Sequence, residues 1–335
     1  MNKTIYFGGD IITLEDKLYT EAVLVENGII KDLGLFDTLV KNNKDAKLIN
    51  LNGATMLPAF LDAHSHLSSL GLTTEFAKLQ DAKSFDDIKN IILKFVKDNN
   101  VPKDKWIIGF GYDHNNLKEK SHPDKFILDS INLENPILIT HTSGHMGVVN
   151  QKGLDLFNID KNTKDQPGGK IGRIENTTEP NGYLEENAFI SKCKNVYKPT
   201  PENIKKIINK TQNIYASYGI TTAQEGLLTP KELNMLQCGD NIIDIIGYVD
   251  IKNYPDLLKD EKSYFNQYNS GIKILGYKAF LDGSPQGKTA WLTKPYENEK
   301  EYKGYPVYED NEVIDFFKKA LIENVQILVH CNGAL

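Results

Sequence analysis

Cysteine is scarce in this chain, and the little there is lies scattered. Cys193, Cys238 and Cys331 form no C-x-x-C pair, which excludes a disulfide scaffold and a thiolate zinc site. No apolar run reaches membrane length, and the start Met1-Asn2-Lys3-Thr4-Ile5-Tyr6-Phe7-Gly8-Gly9-Asp10 has no signal-peptide core. The expectation is a reducing, cytoplasmic setting without a membrane partner. A basic excess is also missing: 39 Lys and Arg face 45 Asp and Glu, for a net charge of −6. That balance argues against nucleic acid and for a small-molecule partner. No G-x-S-x-G elbow, no G-x-x-x-x-G-K-[ST] phosphate loop, no G-x-G-x-x-G after a strand and no internal repeat occurs. What remains is a globular chain of 335 residues, 40% of them hydrophobic, long enough for one large barrel or two ordinary domains.

The most informative stretch present is Leu57-Pro58-Ala59-Phe60-Leu61-Asp62-Ala63-His64-Ser65-His66. Read as a strand over Met56 to His64, it places His64 and His66 on one face, because strand side chains alternate. Two neutral imidazoles so placed can grip one divalent cation; a satisfied strand face is the other reading. Ahead of it, residues 1–56 read as short strands, with Asn27-Gly28 as a two-residue hairpin turn.

Beyond residue 57, apolar strands alternate with helical patterns, the signature of parallel βα units. Strands are predicted at Trp106 to Gly111, Ile137 to His141, Thr221 to Glu225, Ile243 to Val249, Ile272 to Phe280 and Ile327 to His330. Helices are predicted at Phe85 to Asp98, Pro201 to Tyr218 and Glu312 to Asn324, with Thr200 and Pro201 as a start signal. Between Gly144 and Glu185 the polar composition and the Pro167-Gly168-Gly169-Lys170 turn predict a loop-rich insertion, either over a barrel mouth or merely solvated. His114 and His122 sit among charged residues and read as surface groups. Lys278, near the end of an apolar strand, must be paired, solvated or chemically altered.

These phrases resemble the amidohydrolase superfamily, whose first barrel strand ends in Pro-Gly-Phe-x-Asp-x-His-x-His; Ala59 stands at the usual glycine. The segments Gly219-Ile220-Thr221-Thr222-Ala223-Gln224-Glu225-Gly226 and Lys278-Ala279-Phe280-Leu281-Asp282-Gly283-Ser284-Pro285-Gln286-Gly287 look like the YtcJ-like, or amidohydrolase 3, branch. The resemblance implies an α/β fold. It would be a partial TIM-like (β/α)8 barrel over 57–335, with an insertion at about 67–200 and an N-terminal β-sandwich segment over 1–56. It implies His64, His66, Lys278 and His330 as ligands of one or two divalent ions, zinc by default, with Lys278 N-carboxylated because a free ammonium has no lone pair. Such a metal acts as a Lewis acid and lowers the pKa of bound water toward about 7. Asp113, His141, His145 and Glu186 match the branch's pattern and are candidate substrate contacts.

The implied activity is hydrolysis of a non-peptide C–N bond in an amide or formamide-like substrate. The resemblance places the general-base aspartate and further barrel strands beyond Leu335, roughly five of eight strands being present. A C-terminally truncated, catalytically inactive fragment is therefore the alternative. So is a subunit that needs a second chain to complete the barrel; the partners the resemblance allows are such a complementing C-terminal chain or a second copy in a homodimer.

Overall fold

The computed structural model describes residues 2–166, 169–193, 196–285, 288–297 and 299–333. The chain divides into two units, Met1–Asp62 with Ser217–Thr221, and Ala63–Ala216 with Thr222–Leu335.

In the first unit, turn chemistry sets the pairing. β1 (Lys3–Ile12), β2 (Tyr19–Glu26), β3 (Ile29–Gly34) and β4 (Lys47–Asn50) form a sheet of order β3-β2-β1-β4. Asn27 and Gly28 both take positive φ, 50° and 81°, as the expected two-residue hairpin requires, and Glu26 pairs with Ile29 across it. Ile5, Ala22, Leu24 and Leu39 form the core of this sheet. The strand expected over Met56 to His64 is shorter than the sequence implied. Only β5 (Phe60–Leu61) is extended and paired, its Phe60 N–H donating to Gly219 O at 2.8 Å. Met56 instead bridges to Ile11, and Pro58 supplies no N–H to continue a ladder. His64 and His66 thus lie outside any strand.

The second unit holds two sheets. β6 (Ala77–Lys78), β7 (Ile107–Tyr112), β8 (Ile137–His141), β9 (Met146–Val149), β10 (Gly169–Arg173) and β11 (Pro180–Glu186) run in the order β10-β11-β9-β8-β7-β6. The loop-rich reading of Gly144 to Glu185 is corrected here. Met146, Gly147, Val148 and Val149 are all buried, and β9 and β11 pair antiparallel. The polar residues that suggested a loop occupy the turns. Of the expected Pro167-Gly168-Gly169-Lys170 turn, residues 167 and 168 lie outside the described residues, while Gly169 and Lys170 open β10. Gln286 and Gly287 of the Lys278 segment, and the terminal Ala334 and Leu335, also lie outside them.

Local signals account for the elements. The helix Phe85–Asn99 starts where Ser84 Oγ accepts the Asp87 N–H and ends at a left-handed Asn100. Pro201–Ser217 follows Thr200, whose Oγ1 accepts the Asn203 N–H at 3.3 Å. Buried Asn150 holds three segments together. Its Oδ1 accepts the N–H groups of Ile137 (2.9 Å) and Gly153 (3.0 Å), and its Nδ2 donates to Asn135 O at 3.0 Å. Asn150→Ala strands these buried groups, so a loss of about 2–4 kcal/mol is expected. Urea unfolding with an unchanged m-value checks it, and a midpoint equal to wild type would contradict it.

The second sheet is parallel. β12 (Ile220–Leu228) begins in the first unit and runs into the second, and β13 (Asp244–Asp250), β14 (Ile272–Phe280) and β15 (Gln326–His330) follow in the order β15-β14-β13-β12. Each pair is parallel, with buried aliphatic residues such as Ala223, Ile245, Val249, Ile272 and Ile274 as expected of strands covered on both faces. No helix among the described residues is long and apolar enough to cross a membrane.

Candidate metal centre

His64 and His66 owe their placement to β12 rather than to strand alternation. The Ser65 carbonyl accepts the Gly226 N–H at 2.8 Å, and Ser65 Oγ donates to Gln224 O at 3.0 Å. His66 is the N-cap of the helix Leu67–Thr73. Glu225, 1% exposed, accepts the Ser68 N–H at 2.8 Å through Oε2 and keeps Oε1 3.8 Å from His66 Nδ1. This carboxylate satisfies a free donor at the helix start and faces one nitrogen of the ring, which favours a proton on Nδ1 and a lone pair on Nε2. Gly226 completes the cradle. A Cβ there would lie 2.8 Å from Ser65 O and 3.2 Å from Cε1 of both His64 and His66.

Three imidazoles converge. The ring centroids of His64 and His66 are 5.4 Å apart, and those of His64 and His330 6.4 Å. In the parallel register, Lys278 pairs with Leu328 and Phe280 with His330, so Lys278, Phe280 and His330 share one face of the sheet. Lys278 is 2% exposed, and its Nζ stands 4.9 Å from the Phe280 ring centroid. Burial holds its amine below the ordinary lysine range and favours the neutral, nucleophilic form. His330 Nε2 meets Asn332 Nδ2 at 2.8 Å, a contact that a cation taken through that nitrogen displaces. Their donor type and the glycine cradle suit a divalent cation, although among the described residues the ligand atoms of the three imidazoles do not all come within 4.8 Å of one another as those of Asp113, His114 and His141 do.

The other sequence candidates fall into two groups. Asp113, His114 and His141 bring ligand atoms within 4.8 Å of one another, a spacing that could hold an ion. The bulge at Gly111, φ 98°, brings them together by setting Tyr112 rather than Gly111 opposite His141. Hydrogen bonding already uses both nitrogens of His141 and Nδ1 of His114. The Ser143 N–H donates to His141 Nδ1 at 3.1 Å, which assigns the proton to Nε2, 3.3 Å from His114 Nδ1.

The surface assignment of His114 and His122 is corrected. Both are half-buried, their rings stack at 4.0 Å, and Tyr112 Oη lies 3.0 Å from His122 Nδ1. Burial, then the neighbouring His114 and His141, push the His122 imidazole down to about 4. Polar neighbours in sequence misled, because the turn folds these rings back against β8 and β11.

His145 and Glu186 form the second group. His145 Nδ1 is 3.0 Å from Glu186 Oε2, and the Glu186 N–H donates to His145 O at 2.8 Å. The Glu186 hydrogen bond raises the His145 imidazole above its ordinary value against the opposing effect of burial. His145 lines a cavity of about 540 Å³ together with Thr142, Ser143, Phe280, Asp282 and His330. Asp282 is committed to structure, accepting the N–H groups of Trp291 (3.0 Å), Asn332 (2.7 Å) and Gly333. Sequence reading assigned no role to Glu225, Gly226 or Asp282. The signal for each was its place in the two quoted segments.

Together these features define an α/β protein with a curled parallel half-barrel sheet that gathers imidazoles beside its strand ends. The chain belongs to the amidohydrolase family, whose Amidohydro_3 profile matches residues 47–335. It is 28% identical over 354 residues to YtcJ of Bacillus subtilis (strain 168), which carries an amidohydrolase name, covering 99% of this chain and 64% of that one. It is 27% identical over 228 residues to an N-substituted formamide deformylase of Arthrobacter pascens, covering 66% of this chain and 41% of the relative. The crystal structure of an uncharacterized metal-dependent hydrolase from Pyrococcus horikoshii superposes with a TM-score of 0.74 at 25% identity, covering 99% of this chain and 65% of that one. The chain therefore spans less than two thirds of the length of each of these proteins.

Proposed function

We propose that this chain is the metal-binding part of a hydrolase that cleaves a non-peptide C–N bond in a small amide or formamide-like substrate. The observation that carries this reading is the convergence of His64, His66 and His330 beside a buried Lys278. In this reading these four residues hold one or two divalent ions, zinc by default, with Lys278 carboxylated on Nζ. Bound there, the ion supplies Lewis acidity toward a carbonyl and a nucleophile at neutral pH. The name of the formamide deformylase supports the C–N assignment.

The chain's own residues prepare the site. Glu225 orients the His66 ring, Gly226 leaves room for both rings, and β14 and β15 hold Lys278 and His330 in register. Phe280 covers the lysine and borders the cavity, keeping its amine away from water. The proposal includes a (β/α)8 barrel with a β-sandwich segment over 1–56 and an insertion at about 67–200. It also places the protein in the cytoplasm and leaves the general base unassigned within residues 1–335.

The test is elemental analysis of the purified chain, with hydrolysis assays on N-formyl and N-acyl compounds with and without chelator. About one or two ions per chain are expected, falling to near zero in His64→Ala or His66→Ala, with turnover lost alongside. Full metal content in either variant would end the assignment.

A further inference from the structure

Glu186 is an unusual residue in three independent respects. It holds a left-handed backbone, φ 50°, that a side chain adopts only at a cost. Its Oε1 is shut off from solvent with no hydrogen-bond partner among the described residues. Its Oε2 and its N–H both engage His145, so side chain and backbone lock the two residues together. Strain and an unsatisfied carboxylate oxygen are retained where the surroundings impose them, and here both serve to fix one imidazole at a cavity wall.

With Nδ1–H committed to Glu186, Nε2 is the ring nitrogen left over, and it is a donor in the imidazolium form that the Glu186 hydrogen bond favours. Ser143 Oγ accepts the His145 N–H at 3.3 Å and so anchors the backbone of that turn. Across the same cavity stand Phe280 and His330, the latter one of the proposed ligands. We propose that His145 is a catalytic residue that donates its Nε2–H to the carbonyl oxygen of the scissile amide, and that Glu186 is its positioning residue. This rests on the amide-hydrolase reading and deepens it by naming the acyl side of the substrate.

The same geometry selects a neutral acyl group. The imidazolium and the Glu186 carboxylate sum to zero charge, so the pair offers a strong short-range donor without a long-range positive field. No lysine or arginine is among the described residues lining the cavity, and its one carboxyl side chain is that of Asp282. A carboxylate on the acyl side would bring another anion toward Glu186, whereas a carbonyl oxygen brings only the partial charge that grows as the amide is attacked. The titratable groups around His145 are Glu186 from β11, and Asp282 and His330 across the cavity.

The experiment is a histidine-selective ¹⁵N NMR titration of the 335-residue chain and of Glu186→Gln, with N-cyclohexylformamide and cyclohexanecarboxylate as probes. In the wild type, His145 should titrate above the ordinary 6.5, and the formamide should shift its Nε2 signal while the carboxylate leaves it in place. Glu186→Gln should lower the midpoint and weaken the formamide response about tenfold. Unmoved His114, His122 and His141 signals in the variant report an intact fold. A wild-type midpoint at or below 6.5 overturns the proposal, as does an unchanged formamide response in Glu186→Gln. No response to the formamide at its solubility limit, or an equal response to the carboxylate, overturns it as well. None of these readouts needs bound metal or turnover. Loss of the parent reading would instead appear as full metal content in His64→Ala or His66→Ala.

Discussion

Gly226→Ala weakens divalent-cation binding by about 10–100-fold while leaving the chain folded. The new methyl would sit 2.8 Å from the Ser65 carbonyl oxygen and 3.2 Å from the nearest carbon of each of two rings. A flexible side-chain tip could yield to it, but the carbonyl cannot retreat freely, because it accepts the Gly226 N–H at 2.8 Å and belongs to the residue between the two histidines. Any relaxation of Ser65 shifts His64 and His66 with it and so changes their placement relative to His330. Overpacking of this kind costs about 1–3 kcal/mol of stability, which a chain of this size tolerates, whereas ligand geometry tolerates far smaller displacements. Calorimetric titration of the metal-stripped chain with zinc is the measurement, paired with a thermal melt. Unaltered zinc affinity in a folded variant would mean that the two imidazoles do not form the site.

The same cradle shows what the sequence could and could not reveal. His64 and His66 were legible because two imidazoles at close spacing are a chemical statement in themselves. Their supports, Glu225 and Gly226, lie about 160 residues away along the chain, and no periodicity links a buried carboxylate to the helix start it caps. Strands β8 and β14 were legible to the residue, since unbroken apolar runs bounded by turn signals have few other solutions. β5 was overextended because apolar content was read past Pro58 without asking which N–H groups could pair. The strands inside 144–185 were missed for the opposite reason. Their turns dominate the local composition, while the four buried residues of β9 are too short a run to stand out. The histidine cluster around His122 was hidden by a turn that sequence distance does not reveal.

That cluster makes the protein acid-sensitive in a defined window. Tyr112 of β7, His141 of β8 and Tyr183 of β11 surround the stacked His114 and His122 rings, with Asp113 as the nearest carboxylate to the group. The hydrogen bonds form a continuous set among neutral imidazoles. Tyr112 O–H donates to His122 Nδ1, and His141, which accepts the Ser143 N–H on Nδ1, turns its Nε2–H toward His114 Nδ1. Protonating His122 removes the acceptor for Tyr112 and sets a charge against two imidazoles in a half-buried site. Its folded-state value of about 4 lies below the ordinary 6.5, mainly because of burial. Between those values the unfolded chain takes up a proton that the folded chain refuses. The contribution is therefore complete above about 6.5 and is lost as pH falls toward about 4, up to about 3 kcal/mol in all. His122→Phe preserves the stacking but gives up the Tyr112 hydrogen bond, so near pH 7.5 it should be about 1 kcal/mol less stable than wild type. Near pH 4.5 the order should reverse, because the variant has no proton to refuse. Urea midpoints measured at both pH values decide the matter. Parallel stability curves for the two proteins across that range would show that the imidazole cluster takes up protons as readily folded as unfolded.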